Sequence, residues 1–385
     1  SLPYLSRVLG AANFGLVFFA FAFMQYFIML TDFGFGLSAV REIAVNRHNK
    51  NNLSNIFSSV MFIKLILLII SALILILMIL LIPKLRENSL LFIISFPMVI
   101  GNALYPVWFF QGMERMKYIT FLNILSKLIF LVLIFIFVKK ESDYILAPLL
   151  NSAGFLVSGA IGLYFALKQL GAELYLPKLH SIKKQFKYSS QFFLSRVSVS
   201  AYTNTNTFCL GLTGSNIMTA YYIAAEKIYN AVNGLSYPVN GALYPFIAKN
   251  RDIKTYKKIF TAACLVNFCI CAFIFIFAQQ FINIFFGSEM IEAYKVLRIF
   301  CIISLFVFPS MLLGYPLIAA SGYVKEANES VIAGSLIHIA GLSVLFFSGR
   351  MDIYSIAFMV MLTEIIVFGI RVYCIFKYKL LEDKK

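Results

Sequence analysis

The chain has 385 residues, of which 61% are hydrophobic and only 13% charged, and its mean hydropathy is +0.86. A soluble domain carries about 25% charged residues, so a water-soluble enzyme is excluded. The length accommodates roughly 11 or 12 membrane spans of about 20 residues each. The net charge is +16, from 33 Lys+Arg against 17 Asp+Glu. In a soluble protein that balance points to nucleic acid. Here no polar stretch is long enough for a nucleic-acid-binding domain, and the excess reads as cationic loops on the cytoplasmic side of a bilayer.

Apolar runs of spanning length recur along the whole chain. They cover roughly 13–35, 57–82, 89–111, 118–138, 144–168, 187–212, 217–246, 259–286, 293–320, 328–347 and 353–376. That gives eleven spans after a remnant at 1–9, where SLPYLSRVLG reads as the tail of a helix whose beginning is absent. No signal-peptide pattern opens the chain. Continuous apolar runs in a bilayer mean helices, because only helices and closed barrels satisfy the backbone there. Counting Lys and Arg on alternate sides gives 20 against 6. The richer side, with the C-terminus, is therefore expected in the cytoplasm.

Polar groups interrupt these runs in chain order. Asp32, in TDFGFG, reads as a helix-end cap before a glycine-rich turn. Lys64 lies about 10 Å into its span at about 1.5 Å per residue, within snorkelling reach. Thr120, Asn123 and Lys127 share one helix face, with Lys127 about 15 Å deep by the same rise. The stretch 168–188 is basic and reads as a linker between two halves, 1–175 and 176–385. Arg196, Ser200, Thr203 and Thr207 fall on one stripe bordered by Asn204. That stripe reads either as interhelical glue or as the wall of a water-filled cavity. Glu226, Asn230, Asn233 and Tyr237 repeat the spacing, with Lys227 alongside; a structural ion pair or a cavity lining both fit. His338 lies mid-span, as does Glu364, with Arg371 seven residues further on. The deep cations Lys64, Lys127, Arg196 and Lys227 outnumber the deep acids Glu226 and Glu364, a balance that attracts anions.

YPVWFFQG (105–112) and YPLIAASG (315–322) share Tyr-Pro, five residues, then Gly, at an offset of 210. LGAANFGLVFFA (9–20) and TGSNIMTAYYIA (213–224) echo each other at 204. A duplicated six-helix half is expected, with Pro106 over Pro316 and Gly112 over Gly322. The six cysteines all sit in apolar runs without metal-ligand spacing, and no cofactor or metal is expected.

LPYLSRVLGAANFGL at the start, LTDFGFGLSAVREIA (30–44) and NALYPVWFFQGMERM (102–116) resemble the polysaccharide-biosynthesis transporters. These are the Wzx-type O-antigen and capsule-unit flippases of the MOP, MATE-like superfamily. The resemblance implies an all-α polytopic protein with two six-helix lobes around a central cationic cavity, its first helix truncated here. It implies transport of undecaprenyl-pyrophosphate-linked oligosaccharide across the bacterial inner membrane by alternating access. It also implies pathway partners, a polymerase and a chain-length protein, and no catalysis. Arg7 and Arg41 match motif positions of that family. Lys64, Lys127, Arg196, Thr203, Asn204, Lys227 and Asn230 are the further substrate-binding candidates, and Asp32, Glu226, Glu364 and His338 the coupling candidates. A multidrug exporter of the same fold needs acidic groups facing a cationic drug, which the deep cations oppose. A membrane enzyme of the polymerase kind needs a catalytic extracytoplasmic loop, and every loop on that side is short.

Overall fold

The computed structural model describes residues 1–382, except for the side chains of 194–204. Every regular element among the described residues is helical. In chain order they are α1 (Leu2–Asp32), α2 (Phe35–Asn46), α3 (Lys50–Leu81), α4 (Pro83–Glu87), α5 (Ser89–Ser95), α6 (Pro97–Leu104), α7 (Val107–Gly112), α8 (Met116–Phe137), α9 (Leu146–Tyr164), α10 (Leu179–Thr213), α11 (Asn216–Gly234), α12 (Ser236–Asn250), α13 (Ile253–Ile276), α14 (Ala278–Phe286), α15 (Ala293–Leu313), α16 (Val324–Phe347) and α17 (Ile353–Lys377). Wide π turns extend α9 (Phe165–Gln169) and α15 (Gly314–Ala319).

Nine helical stretches among the described residues are long and apolar enough to cross a membrane. The chain is a multi-pass membrane protein. Of the eleven spans read from sequence, 187–212 and 217–246 are not among the nine. Both are helical, as part of α10 and as α11 with α12, and both carry the polar stripes.

The chain packs as two compact units. One holds Leu16–Ser200; the other holds Leu2–Gly15 and the chain from Ala201 onward. The break inside α1 is at Gly10, whose φ of 69° is open to glycine without strain.

The core of the first unit gathers Phe57, Trp108, Phe109 and Phe110 with Ile43 and Leu53. The turn from α1 to α2 explains the TDFGFG motif. Phe33 is left-handed (φ 37°) and stacks between Phe186 and Phe193 at 4.6 and 4.7 Å. Gly34, at φ 77°, lies against the α10 backbone, where a Cβ would come within 2.9 Å of the Ser189 carbonyl and the Phe193 nitrogen. Ser38 and Ser189 share a hydrogen bond at 2.8 Å beside it. Elsewhere α6 and α9 meet backbone to backbone: a Cβ at Gly101 would collide with Phe155 and Leu156. Gly101→Ala is therefore expected to cost about 1–3 kcal/mol, the usual overpacking penalty, read as a lower thermal midpoint in detergent. An unchanged midpoint would show that the contact can relax.

The second unit has its own core of Leu243, Tyr256, Leu312, Leu317, Ile318 and Ile375. Pro316 lacks the N–H that would bond the Leu312 carbonyl in a continuous helix. The Tyr256 hydroxyl donates to that carbonyl instead, at 3.1 Å. Asp252 caps α13, accepting from the Thr255 N–H at 2.9 Å and its hydroxyl at 2.6 Å. The Thr255 hydroxyl and then its N–H hold the Asp252 carboxyl below its ordinary range.

The internal repeat is real in local geometry, but its register here is 208, not 210. Before α8, Glu114 is left-handed (φ 57°) and the Arg115 N–H reaches back to the Phe110 carbonyl at 2.8 Å. Before α16, Gly322 is left-handed (φ 102°) and the Tyr323 N–H reaches back to the Ile318 carbonyl at 3.1 Å. Both are Schellman-type closures. The helix breaks fall at Pro106 and Gly314, again 208 apart. The conformational counterpart of Gly322 is thus Glu114 rather than Gly112, and that of Pro106 is Gly314 rather than Pro316. The shared Tyr-Pro letters are two residues out of step with the shared backbone.

Candidate functional site

The second unit has an open cavity of about 610 Å³ between α10, α11, α12, α15, α16 and α17. Its size falls within the range of about 300–1,000 Å³ usual for ligand sites. Two helix stripes supply its polar wall. On α11 and α12, Glu226, Asn230, Asn233 and Tyr237 all line it, joined by Tyr222, Lys227 and Tyr229. On α17, Val360, Glu364, Val367 and Arg371 line it with the same four-three-four spacing, which places them along one face.

Three of its polar groups, Arg371, Asn233 and Asn206, are held by specific neighbours. Arg371 is 7% exposed. Its Nη1 donates to the Ser310 carbonyl at 2.6 Å and to the Ser310 hydroxyl at 3.1 Å, and its Nε donates to the Ser330 hydroxyl at 3.0 Å. The guanidinium lies over Gly314, where a Cβ would come within 2.9 Å of Cζ. The break that opens the π turn therefore makes room for the arginine. Asn233 accepts from the Ser304 hydroxyl at 2.9 Å and donates to the Tyr229 carbonyl at 3.2 Å. Asn267 of α13 donates to the Ser304 carbonyl at 3.3 Å. This Asn–Ser–Asn cluster ties three helices, as interhelical polar glue does in membranes.

His338 is fully buried. Its Nδ1 lies 3.1 Å from the Thr363 hydroxyl and its Nε2 lies 2.9 Å from Asn206 Oδ1. It thereby fixes Asn206, which lines the cavity, to α16 and α17. Tyr229 stacks on Phe300 at 4.8 Å, and Tyr222 meets the same ring edge-on at 5.4 Å. The cavity therefore offers aromatic surface, amide and hydroxyl groups, two carboxylates and two cations.

The other sequence candidates lie elsewhere. Lys64 does not snorkel, because it is 1% exposed and pairs with Asp32 at 3.0 Å in the first unit. Asp32 is thus the partner of a buried cation as well as a helix end. Arg41 is exposed and donates to the Tyr188 hydroxyl at 3.2 Å. Arg7 is exposed and donates to the Ile284 carbonyl. Lys127 is exposed on α8, together with Thr120 and Asn123. The side chains of Arg196, Ser200, Thr203 and Asn204 lie outside those described, whereas Thr207 is described and buried. Spacing in the sequence alone assigns no role to Arg371, Tyr222 or Asn206. The signal for Arg371 was its i+7 spacing from Glu364, which puts both on one face of α17.

A family model described as "Polysaccharide biosynthesis protein" matches residues 1–251. The chain is 30% identical over 345 residues to the "Putative O-antigen transporter" of Escherichia coli (strain K12), covering 88% of this chain and 83% of that protein. It is 26% identical over 343 residues to the protein of the same name from Shigella dysenteriae, covering 88% and 86%. Among solved structures it is similar to the lipid II flippase MurJ in an inward closed conformation, with a TM-score of 0.75, 14% identity and coverage of 98% and 85%. An inward-facing MATE family multidrug resistance transporter of the MOP superfamily gives a TM-score of 0.71, 17% identity and coverage of 98% and 93%. At these identities the two structures show the fold, an all-α polytopic MATE-like bundle.

Proposed function

Since the chain belongs to the polysaccharide biosynthesis protein family, we propose that it is a flippase that carries a lipid-linked oligosaccharide across the bacterial inner membrane. The repeat unit is of the O-antigen class and rides on undecaprenyl pyrophosphate. The observation that carries this reading is the polar cavity of the second unit. Each charged group at mid-bilayer costs about 2.5–3.5 kcal/mol on insertion scales. Glu226, Lys227, Glu364 and Arg371 line one cavity in a chain whose charged content is 13%. Asparagine and tyrosine side chains there supply both donors and acceptors for sugar hydroxyls. Arg7, Arg41 and Lys127 are exposed cations available to the pyrophosphate. Transport proceeds by alternating access of two lobes, 1–175 and 176–385, with the C-terminus in the cytoplasm. The polymerase and chain-length proteins of the same pathway take over the flipped unit.

Deleting the gene in its host tests this reading. Surface polysaccharide is expected to disappear while its lipid-linked unit accumulates at the inner leaflet, and a plasmid copy is expected to restore both. Unaltered surface polysaccharide in the deletion strain would overturn the assignment.

A further inference from the structure

The segment between α9 and α10 is laid along α3. Ser54 Oγ accepts from the Glu173 N–H at 3.1 Å. The Ser58 hydroxyl donates to the Glu173 carbonyl at 2.9 Å and accepts from the Tyr175 N–H at 3.2 Å. Lys50 pairs with the Glu173 carboxylate at 2.8 Å. These contacts fix a depth. Helix α3 is an apolar spanning helix that begins at Lys50. At about 1.5 Å per residue, Ser54 and Ser58 lie about 6 and 12 Å along it. The polar layer of each leaflet is about 5–8 Å thick. Residues 173–175 are therefore held near the boundary between head groups and acyl chains.

At that boundary the segment turns leucines outward. Leu174, Leu176 and Leu179 are 55%, 81% and 65% exposed. Four exposed lysines follow, Lys178, Lys183, Lys184 and Lys187. Two carboxylates stand nearby: Glu173 is held by Lys50, and Glu42 faces Lys184. Among the described residues, Lys178, Lys183 and Lys187 have no ion-pair partner.

We propose that residues 173–187 form a binding surface for acidic phospholipids. The leucines seat just below the head groups, and the lysines hold the lipid phosphates. Apolar anchors beside a cationic cluster are the two signals that together make an interfacial attachment firm. The hydrogen bonds to Ser54 and Ser58 pre-order the segment, so little chain entropy is lost when lipid binds. The surface is independent of the transported cargo and stands or falls apart from the flippase reading.

Two measurements on the full-length protein test it. In nanodiscs containing phosphatidylglycerol and phosphatidylcholine, native mass spectrometry counts the lipids retained. Each lysine near an acidic leaflet raises affinity roughly fivefold. The triple variant K178Q/K183Q/K187Q is therefore expected to retain phosphatidylglycerol more than roughly tenfold less well, with phosphatidylcholine unchanged. Equal retention would overturn the proposal. So would displacement of phosphatidylglycerol by added inorganic pyrophosphate, which would mark the surface as a cargo site instead. Depth is read separately with L176W in a W108F background, which removes the single native tryptophan. Phospholipids brominated near the head-group end of the acyl chains are expected to quench its emission by at least half. Unquenched, water-like emission would refute the seating of the leucines.

Discussion

Arg371→Ala is expected to destabilise the second unit by about 3–5 kcal/mol, the cost of breaking a buried charged network. The guanidinium is nearly enclosed and makes three hydrogen bonds to Ser310 and Ser330. Removing it withdraws all three and leaves Glu364, 8% exposed, without the cation on its own helix face. Lysine at this position keeps a charge but cannot reproduce the planar fork, so Arg371→Lys should recover only part of the loss. The variant R371M/E364Q removes both charges and should be less damaged than Arg371→Ala, because no uncompensated carboxylate remains. Thermal melts of detergent-purified protein, followed by size-exclusion recovery, read the stability. Immunoblots beside a surface-polysaccharide gel separate loss of protein from loss of transport. A melt of the Ala variant within about 0.5 kcal/mol of wild type, the range of an ordinary surface change, would show that the network is dispensable.

The fold was legible because bilayer chemistry leaves few alternatives. Long apolar runs had to be helices, and most of their positions hold. The stripe Glu226–Asn230–Asn233–Tyr237 was legible for the same reason: helical spacing alone placed four polar groups on one face, and all four line the cavity. Other parts depend on tertiary partners that spacing cannot supply. Lys64 at about two turns further in than its neighbours on the helix end could reach water by length alone, yet Asp32 meets it inside the unit. The two halves share a backbone turn whose left-handed residue is glutamate in one and glycine in the other. The shared Tyr-Pro letters therefore lie two residues away from the offset of the shared turn. Arg371 was hidden because its space is made by Gly314, 57 positions away, at a break the sequence does not mark as a site.

The Asp32–Lys64 pair makes an asymmetric prediction. The Lys64 side chain is 2% exposed and the Asp32 side chain 47% exposed, with 3.0 Å between Nζ and Oδ1. Asp32→Ala strands an ammonium in the core, and the expected cost is about 3–5 kcal/mol. Lys64→Met removes the buried charge, keeps most of the side-chain volume, and leaves a carboxylate that water already reaches. Its expected cost is small, and it can be stabilising, because a buried ion pair often gains nothing over apolar packing. The double variant D32A/K64M should therefore melt close to Lys64→Met and well above Asp32→Ala. Equal penalties for the two single variants would mean that Lys64 is solvated in the membrane and that the pair is a surface contact. If the order holds but Lys64→Met abolishes surface polysaccharide at normal protein levels, the charge is kept for transport. A stable protein without transport would then place the pair in the moving parts of the cycle, at the end of α1 where Phe33 and Gly34 turn the chain into α2.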